Sequence, residues 1–191
     1  MYGRIVYLVT LIVSAVLGPY SARACEVTLT QLDDAFTANQ EAGAPGRLTV
    51  TPSDAALSSI AVWLVEEFGL PMARESPRIE IEDEGELARL RLGNSFPNQA
   101  HDILALYDDA TRTIHLSEEW SKTTPAALSV LIHEIVHHMQ NLGEMTYECA
   151  EAREKVAYDA QERWLSRSGK SLESEFGIDP MTRLVRTKCI M

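Results

Sequence analysis

Three histidines and one glutamate lie close together in a stretch that is otherwise apolar. The segment LSVLIHEIVHHMQNLG spans residues 128–143 and contains His133, Glu134, His137 and His138. Residues four apart share one face of an α-helix, so His133 and His137 would present two imidazoles side by side. Two imidazoles at this spacing can bind one metal ion. Glu134, rotated by about 100° from His133, would reach a water on that metal rather than the metal itself. The pattern therefore predicts two zinc ligands and a general base on one helix.

The HExxH pattern, preceded by the strand-like segment TIHLSEE, resembles the zincin metallopeptidases. In that fold a strand edges the cleft in front of the HExxH helix. The resemblance implies that residues 114–117 offer a free backbone edge to an extended peptide. It also implies a secreted zinc hydrolase with one Zn²⁺ per chain, held by His133 and His137, and Glu134 as the general base.

A catalytic zinc site needs a third protein ligand, with water in the fourth position. The segment after the motif carries Glu148, Glu151 and Glu154 at helical spacing. In the gluzincin branch of the zincins the third ligand is a glutamate on the next helix, often in an ExxA pattern. Glu154 with Ala157 resembles this pattern, and Glu151 is the alternative. The resemblance covers residues 131–161. The chain is similar to small secreted bacterial proteins with a minimal gluzincin core.

One departure from the gluzincin pattern concerns the group that orients a ligand histidine. Gluzincins often carry Asp or Asn directly after the alanine, whereas this chain has Tyr158 there and Asp159 one position later. Asp159 is therefore the candidate for orienting a ligand histidine.

Other titratable residues near the motif have two interpretations each. Tyr147 and Tyr158 could donate a hydrogen bond to a transition-state oxyanion or could pack in the core. His138 could lie near the water in the cleft or at the rim of its helix. We expect His101 and His115 to be surface residues.

Residues 1–24 have the features of a cleaved secretory signal. Arg4 precedes an apolar run, and residues 22–24 form an AxA cleavage site. The run is short for a membrane span, which needs roughly 20 residues. An uncleaved anchor and a lipidated Cys25 are the alternatives. We therefore expect a secreted or periplasmic protein that has no stable membrane span after cleavage.

Export would place the three cysteines in an oxidising compartment, where disulfides persist. They form no CxxC pair, so we do not interpret them as zinc ligands. Because three is an odd number, one cysteine is left over. We expect a disulfide between Cys149 and Cys189, with Cys25 as the spare residue.

Composition and charge limit the classes of function. The 191-residue chain is 46% hydrophobic and 24% charged, as in a folded globular protein, and we place one domain at residues 25–191. Its net charge of −11 repels phosphate backbones and anionic lipid, which excludes nucleic acid as a partner. We expect a peptide or protein substrate. A non-catalytic zinc-binding module and a metal-free interaction protein are the competing functions.

Caps and periodicity predict helices at both ends of the chain and strands in the middle. The predicted helices are 28–42, 51–68, about 124–141, 147–169 and a short helix from 179. The predicted strands are 78–83 with 87–93 and 102–108 with 113–119, paired as two hairpins, and 47–50 as a strand or linker. This order predicts an α+β fold with a small antiparallel sheet. The resemblance makes it a minimal zincin-like domain with an active-site helix and a following ligand helix.

Overall fold

The computed structural model describes Pro52 and residues 54–93, 103–121 and 124–189. In this part of the chain, helices surround a small three-stranded sheet, which confirms the predicted α+β fold. The helices are α1 Asp54–Phe68, α2 Glu84–Leu92, α3 Pro125–Leu142, α4 Ala150–Ser166, α5 Leu172–Phe176 and α6 Pro180–Thr187. The strands are β1 Arg78–Glu82, β2 Ala105–Asp108 and β3 Thr113–Ser117. None of these helices is both long enough and apolar enough to cross a bilayer.

Several predictions concern residues that the structure does not describe. The predicted signal at 1–24, the helix at 28–42 and the strand or linker at 47–50 all lie outside the described residues. Cys25 and His101 also lie outside them. These predictions therefore stay predictions.

The sheet has β3 at its centre, with the strand order β1-β3-β2. β2 and β3 form the predicted hairpin and pair antiparallel, with Leu106 opposite His115. β1 pairs with β3 in parallel, with Glu80 opposite His115. The sheet is therefore mixed: the predicted antiparallel pairing is confirmed between β2 and β3 and is wrong for β1.

The first predicted hairpin does not form, because residues 87–93 fall mostly within helix α2. Asp83, the last residue of the predicted strand 78–83, caps this helix, and its carboxylate accepts a hydrogen bond from the N–H of Glu86 at 3.0 Å. Glu86 in the first turn also pairs with Arg89 in the last turn. Acids at the start and bases at the end of the helix suit its macrodipole. These local interactions favour the helix over the alternating apolar pattern.

The edge strand beside the motif helix is β2 and not β3. Both edges of β3 are hydrogen-bonded, one to β1 and the other to β2, and all of its residues are buried. The prediction that residues 114–117 offer a free edge to a peptide is therefore wrong. Within the described residues, β2 has one unpaired edge and packs against α3.

The helix that carries the histidine motif begins where its sequence predicts. The Oγ1 atom of Thr124 accepts a hydrogen bond from the N–H of Ala127 at 3.1 Å, and Pro125 occupies the first turn. Gly143 follows the last turn, where a Cβ would lie 2.3 Å from Cγ of Pro71. A side chain at residue 143 would therefore collide with the loop that follows α1.

The remaining helices agree with their predictions apart from three bounds and one addition. α1 begins at Asp54, three residues later than predicted, and α4 ends at Ser166, three residues earlier than predicted. α1 ends at Phe68 and is followed by Gly69, whose φ of 65° suits glycine, and α6 begins after the cap residue Asp179. α4 begins at Ala150, three residues later than predicted. α5 was not predicted, although Ser171 and Ser174 form a capping box at its start.

The apolar core lies between the sheet and helices α1, α3 and α4. Ile114 and Leu116 of β3 belong to this core, and both are fully buried. Trp63 of α1 meets Trp164 of α4 edge to face, with ring centroids 5.9 Å apart. α4 also packs against α3, so side chains on the facing surfaces of these two helices can share one site.

A disulfide joins Cys149 and Cys189, as predicted, across a sequence separation of 40 residues. Cys149 lies directly before α4, and Cys189 follows α6. The bond therefore attaches the end of α6 to the beginning of α4.

Candidate metal centre

Two histidines of α3 and one glutamate of α4 converge on one point. The Nε2 atom of His133 lies 3.1 Å from Oε2 of Glu154, and Nε2 of His137 lies 3.4 Å from Oε1 of the same carboxylate. One potential ligand atom from each residue lies within 4.8 Å of the other two. The structure thus brings together the three residues that the sequence analysis grouped as metal ligands.

Gln140 fixes the tautomer of His137. Its side-chain amide nitrogen donates to the carbonyl of Arg153 at 3.1 Å, and its oxygen accepts from Nε of Arg153 at 3.2 Å. Both contacts give the amide one orientation, so the oxygen also faces Nδ1 of His137 at 3.0 Å. Because that oxygen only accepts, Nδ1 must carry the proton. The lone pair of a neutral His137 is therefore on Nε2, which points at Glu154.

Gln161 does the same for His133 through a different chain of contacts. The hydroxyl of Ser129 donates to the carbonyl of Ala126 at 2.7 Å and accepts from the amide nitrogen of Gln161 at 3.2 Å. The oxygen of Gln161 then lies 3.2 Å from Nδ1 of His133. Nδ1 must again be the donor, so the lone pair of a neutral His133 is also on Nε2.

Three electron-pair donors therefore face one another at this point, namely two imidazole Nε2 atoms and one carboxylate. Acceptors at these distances repel one another unless a positive charge lies between them. Protonating both imidazoles would place two cationic rings with their centroids only 4.9 Å apart. A single bound cation avoids that repulsion, so the residues present fit a divalent metal ion.

The contacts also shift the ionisation of the cluster. Burial raises the pKa of Glu154, but the imidazoles of His133 and His137 outweigh it and hold that pKa well below its usual range. Burial lowers the pKa of His137, but the carboxylates of Glu154 and Glu134 outweigh it, so the net shift is upward. Protons and a metal ion would therefore compete for the same histidine nitrogen.

Glu134 lines the open cleft beside the cluster. The residue is 7% exposed, and its carboxylate has no hydrogen bond or ion pair with any other described residue. A buried carboxylate normally has such a partner. Glu134 is therefore available to a water or a ligand in the cleft, as a general base requires.

The cleft has a volume of about 710 Å³ and lies over the cluster. One side is formed by β2 and the residues before it, including Leu104, Ala105 and Tyr107. The other side is formed by α4 and the chain that follows it, including Phe176 and Ile178. An extended chain in this cleft would lie beside an edge strand on one side and apolar side chains on the other.

Asp159 does not orient a histidine, so that prediction is wrong. Its carboxylate pairs with Lys155 at 2.8 Å and also with Arg183. It follows Tyr158 on α4 and faces α6 rather than the cleft. The orienting groups are the two glutamines instead.

The two tyrosines predicted as oxyanion donors occupy different places. The ring of Tyr158 packs against His133 with centroids 4.9 Å apart, and its hydroxyl accepts from Nη1 of Arg186 at 3.1 Å. Tyr158 is 9% exposed and lines the cleft. Tyr147 lines a neighbouring pocket, and its hydroxyl contacts Sδ of Met145. Of the two tyrosines, only Tyr158 fits both interpretations, because its ring is packed against His133 and the residue also lines the cleft, where an oxyanion donor would have to lie.

His138 lies neither at the rim of its helix nor in the cleft, and it is only 1% exposed. Its Nε2 atom donates to the carbonyl of Glu75 at 2.8 Å, and Nδ1 faces the hydroxyl of Tyr107 at 3.1 Å. Burial lowers the pKa of His138, which suits a neutral ring with one donor and one acceptor nitrogen. His138 therefore connects α3 to β2 and to the loop before β1.

The prediction of His115 as a surface residue is wrong, because β3 is the central strand. His115 is 6% exposed, and its Nδ1 atom lies 3.0 Å from Oε1 of Glu82 and 3.7 Å from Oε2 of Glu80. These residues form a second group whose geometry could hold a metal ion. An ordinary hydrogen bond from His115 to Glu82 also accounts for the arrangement.

Three residues that sequence reasoning missed complete the support of the cluster, namely Gln140, Gln161 and Arg153. Gln140 is three residues after His137, and Gln161 is two helical turns after Glu154, so helical spacing placed both on the correct faces. Arg153 donates two hydrogen bonds, each of 2.6 Å, to the carboxylate of Asp109 and also donates to the carbonyl of His137. Its role depends on the β2–β3 turn, which no local pattern shows.

The comparisons with known proteins cover the part of the chain that contains the whole cluster. Residues 49–189 match a family described as a domain of unknown function, DUF6647. No curated protein and no solved structure matches the chain significantly. Since the match extends over most of its length and includes the cluster and the cleft, the chain belongs to the DUF6647 family.

Proposed function

We propose that this protein is an exported zinc-dependent hydrolase that cleaves peptide bonds. His133, His137 and Glu154 would hold one Zn²⁺ per chain. The observation that carries the proposal is the pair of glutamine contacts, which turn both Nε2 lone pairs toward one carboxylate. The disulfide supports a location in an oxidising compartment.

The distances within the cluster support zinc as the metal. Tetrahedral ligands about 2.0–2.2 Å from zinc lie roughly 3.3–3.6 Å from one another. The two nitrogen–oxygen distances in the cluster are 3.1 and 3.4 Å. Two imidazoles and one carboxylate are also the ligand set of many hydrolytic zinc sites with an open water position.

Each residue then has a defined part in hydrolysis. Bound Zn²⁺ would lower the pKa of water and polarise the substrate carbonyl. Glu134 would accept a proton from the attacking water and deliver it to the leaving nitrogen. The hydroxyl of Tyr158 accepts from Arg186, so its own proton is free to donate to the substrate oxygen.

Among the described residues one edge of β2 is unpaired, which supports a peptide as the substrate. Extended peptides commonly bind by adding a strand to such an edge. β2 packs against α3, and Leu104, Ala105 and Tyr107 line the cleft that contains Glu134. A peptide paired with this edge would pass over the cluster.

Replacing Glu134 tests the proposal against a zinc module with no substrate. We expect Glu134→Gln to keep its zinc and to lose about 10²–10⁴-fold in the rate of peptide cleavage. The matched control is Glu144→Gln, which removes the same charge from an exposed residue that does not line the cleft and should cleave at the wild-type rate. Fluorogenic peptide libraries and elemental analysis give both readouts. A zinc-loaded wild-type protein that cleaves nothing in the library would favour the structural module.

A further inference from the structure

We infer that the cleft binds a carboxylate of the substrate through Arg186. The inference rests on the proposed function and specifies its substrate class as peptides with an acidic side chain or a free C-terminal carboxylate near the cleaved bond. The guanidinium of Arg186 would bind that group, with Arg91 as a second cation in the same cleft.

Arg186 stands out because six of the ten arginines that the structure describes already have a carboxylate or an aromatic partner. Carboxylates pair with Arg89, Arg112, Arg153, Arg163 and Arg183, and Arg167 lies over two tryptophan rings. Within the described residues, the arginines that have neither kind of contact are Arg74, Arg78, Arg91 and Arg186. Two of these, Arg91 and Arg186, line the cleft.

The guanidinium of Arg186 is held in place but has no carboxylate partner among the described residues. Its Nη1 atom donates to the hydroxyl of Tyr158 at 3.1 Å, and Tyr158 is only 9% exposed. Arg186 itself is exposed, so its other N–H groups are open to a ligand. A planar guanidinium with free N–H groups matches a carboxylate through two parallel hydrogen bonds.

The position of Arg186 relates it to the metal cluster. Tyr158 separates the guanidinium from the imidazole of His133, against which the tyrosine ring packs. An extended peptide advances about 3.3 Å per residue, so a carboxylate at Arg186 would lie within a few residues of a carbonyl beside Glu134. Phe176 and Ile178 line the same side of the cleft and would cover the intervening apolar part of the substrate.

Two links outside the cleft hold the helix that carries Arg186. α6 has no buried residue of its own among those described. The Cys149–Cys189 disulfide attaches its end to the start of α4, and Arg183 pairs with Asp159 of α4. These links hold Arg186 beside Tyr158.

The test measures peptide binding to zinc-loaded Glu134→Gln protein, in which substrate survives. In the first pair, both peptides have an amidated C-terminus and differ at one residue, which is Glu in one peptide and Gln in the other. This residue is placed at each position of the peptide in turn. A second pair lacks acidic side chains and ends in a free carboxylate or an amide. We expect the acidic member of at least one pair to bind about tenfold more tightly or better, since hydrogen bonds between charged groups are strong. The pair that shows the preference identifies the source of the carboxylate.

Variants in the same background assign the preference to Arg186. We expect Arg186→Gln to reduce it to about twofold or less and Arg186→Lys to retain part of it. The matched control Lys188→Gln removes a charge two residues away that does not line the cleft, and it should keep the full preference. Equal binding of the acidic and neutral peptides, no peptide binding, or a preference that survives Arg186→Gln would overturn the inference.

Cleavage by the wild-type protein separates this inference from the proposed function. Acid-selective binding without any cleavage would contradict the hydrolase and leave the carboxylate site standing. Cleavage with no dependence on peptide charge would contradict the carboxylate site and leave the hydrolase standing.

Discussion

The side-chain oxygen of Gln161 on α4 lies 3.2 Å from Nδ1 of His133 on α3. Ser129, one turn before His133, holds the amide of the glutamine in that orientation. The contact therefore determines which nitrogen of His133 carries a proton and which one faces Glu154. Gln140 has the same relationship to His137.

We expect Gln161→Met to weaken zinc binding by about 10–100-fold, because contacts that orient a ligand histidine typically contribute this much to metal affinity. The matched variant Gln161→Glu keeps an acceptor at Nδ1 and should bind zinc nearly as tightly as the wild type. Competition with a chromophoric chelator measures the affinities. Equal zinc affinity in Gln161→Met and the wild type would show that the contact does not orient the ligand.

Neighbouring histidines 137 and 138 should respond differently to substitution. His138→Leu leaves the carbonyl of Glu75 without its donor and the hydroxyl of Tyr107 without its acceptor, which should lower the free energy of unfolding by about 1–3 kcal/mol. Zinc content should not change, because His138 is not part of the cluster. Urea unfolding of the metal-free protein and elemental analysis of the loaded protein check the two results. Loss of zinc in a folded His138→Leu protein would contradict this assignment.

The stabilisation that zinc provides should grow with pH between about pH 6 and pH 8. The raised pKa of His137 means that the metal-free folded protein keeps a proton that zinc must displace. As the pH rises, that proton is released, zinc binds more tightly and the zinc-bound state becomes more stable. The favourable contribution of protonated His137 to the metal-free fold is present below its unfolded pKa and is lost over the same pH range. Both effects come from release of the same proton, so they make one contribution to the gap between the two forms.

Thermal melting at a fixed free zinc concentration measures this gap at each pH. His138 titrates in both forms and so cancels in the difference. His137→Ala, the control, should show little zinc-induced shift at any pH. A wild-type shift that stays constant or shrinks as the pH rises would contradict competition between protons and zinc.

Removing the disulfide should affect the carboxylate site more than the metal centre. For a loop of 40 residues, loss of the crosslink lowers the free energy of unfolding by about 2–4 kcal/mol. The double variant Cys149→Ser/Cys189→Ser should keep its zinc, since its ligands lie on α3 and α4, and should lose most of its preference for acidic peptides. Denaturant unfolding, elemental analysis and the peptide-binding assay measure the three quantities. An unchanged preference for acidic peptides would show that α6 does not need the disulfide to position Arg186.

Local patterns predicted the residues of the site better than they predicted its surroundings. His133, Glu134 and His137 lie on one helix, so spacing alone relates their side chains. Glu154 lies on the next helix, and the resemblance to gluzincins was needed to select it over Glu151. The structure places it against both histidines, whereas Glu151 is exposed.

One incorrect prediction was overturned by local interactions, and the others depend on contacts between segments that are distant in the sequence. The alternation in residues 87–93 favoured a strand, but the cap at Asp83 and the charges of α2 favour a helix. β1 then pairs with β3, which makes β3 central and buries His115, and within the described part of the chain the unpaired edge beside the motif helix belongs to β2. Asp159 was predicted to orient a histidine, but its partner Arg183 comes from α6. No local pattern contains these pairings.

The central claim is that His133, His137 and Glu154 bind one zinc ion, and zinc content tests it most directly. Residues 25–191 would be produced in an oxidising compartment and analysed as wild type, His137→Ala and Glu154→Gln. We predict about one zinc per chain in the wild type and loss of most of it in both variants. Zinc retained in Glu154→Gln would exclude Glu154 as the third ligand and point to Glu151. Absence of zinc from the wild type, even after zinc is added back, would contradict the account.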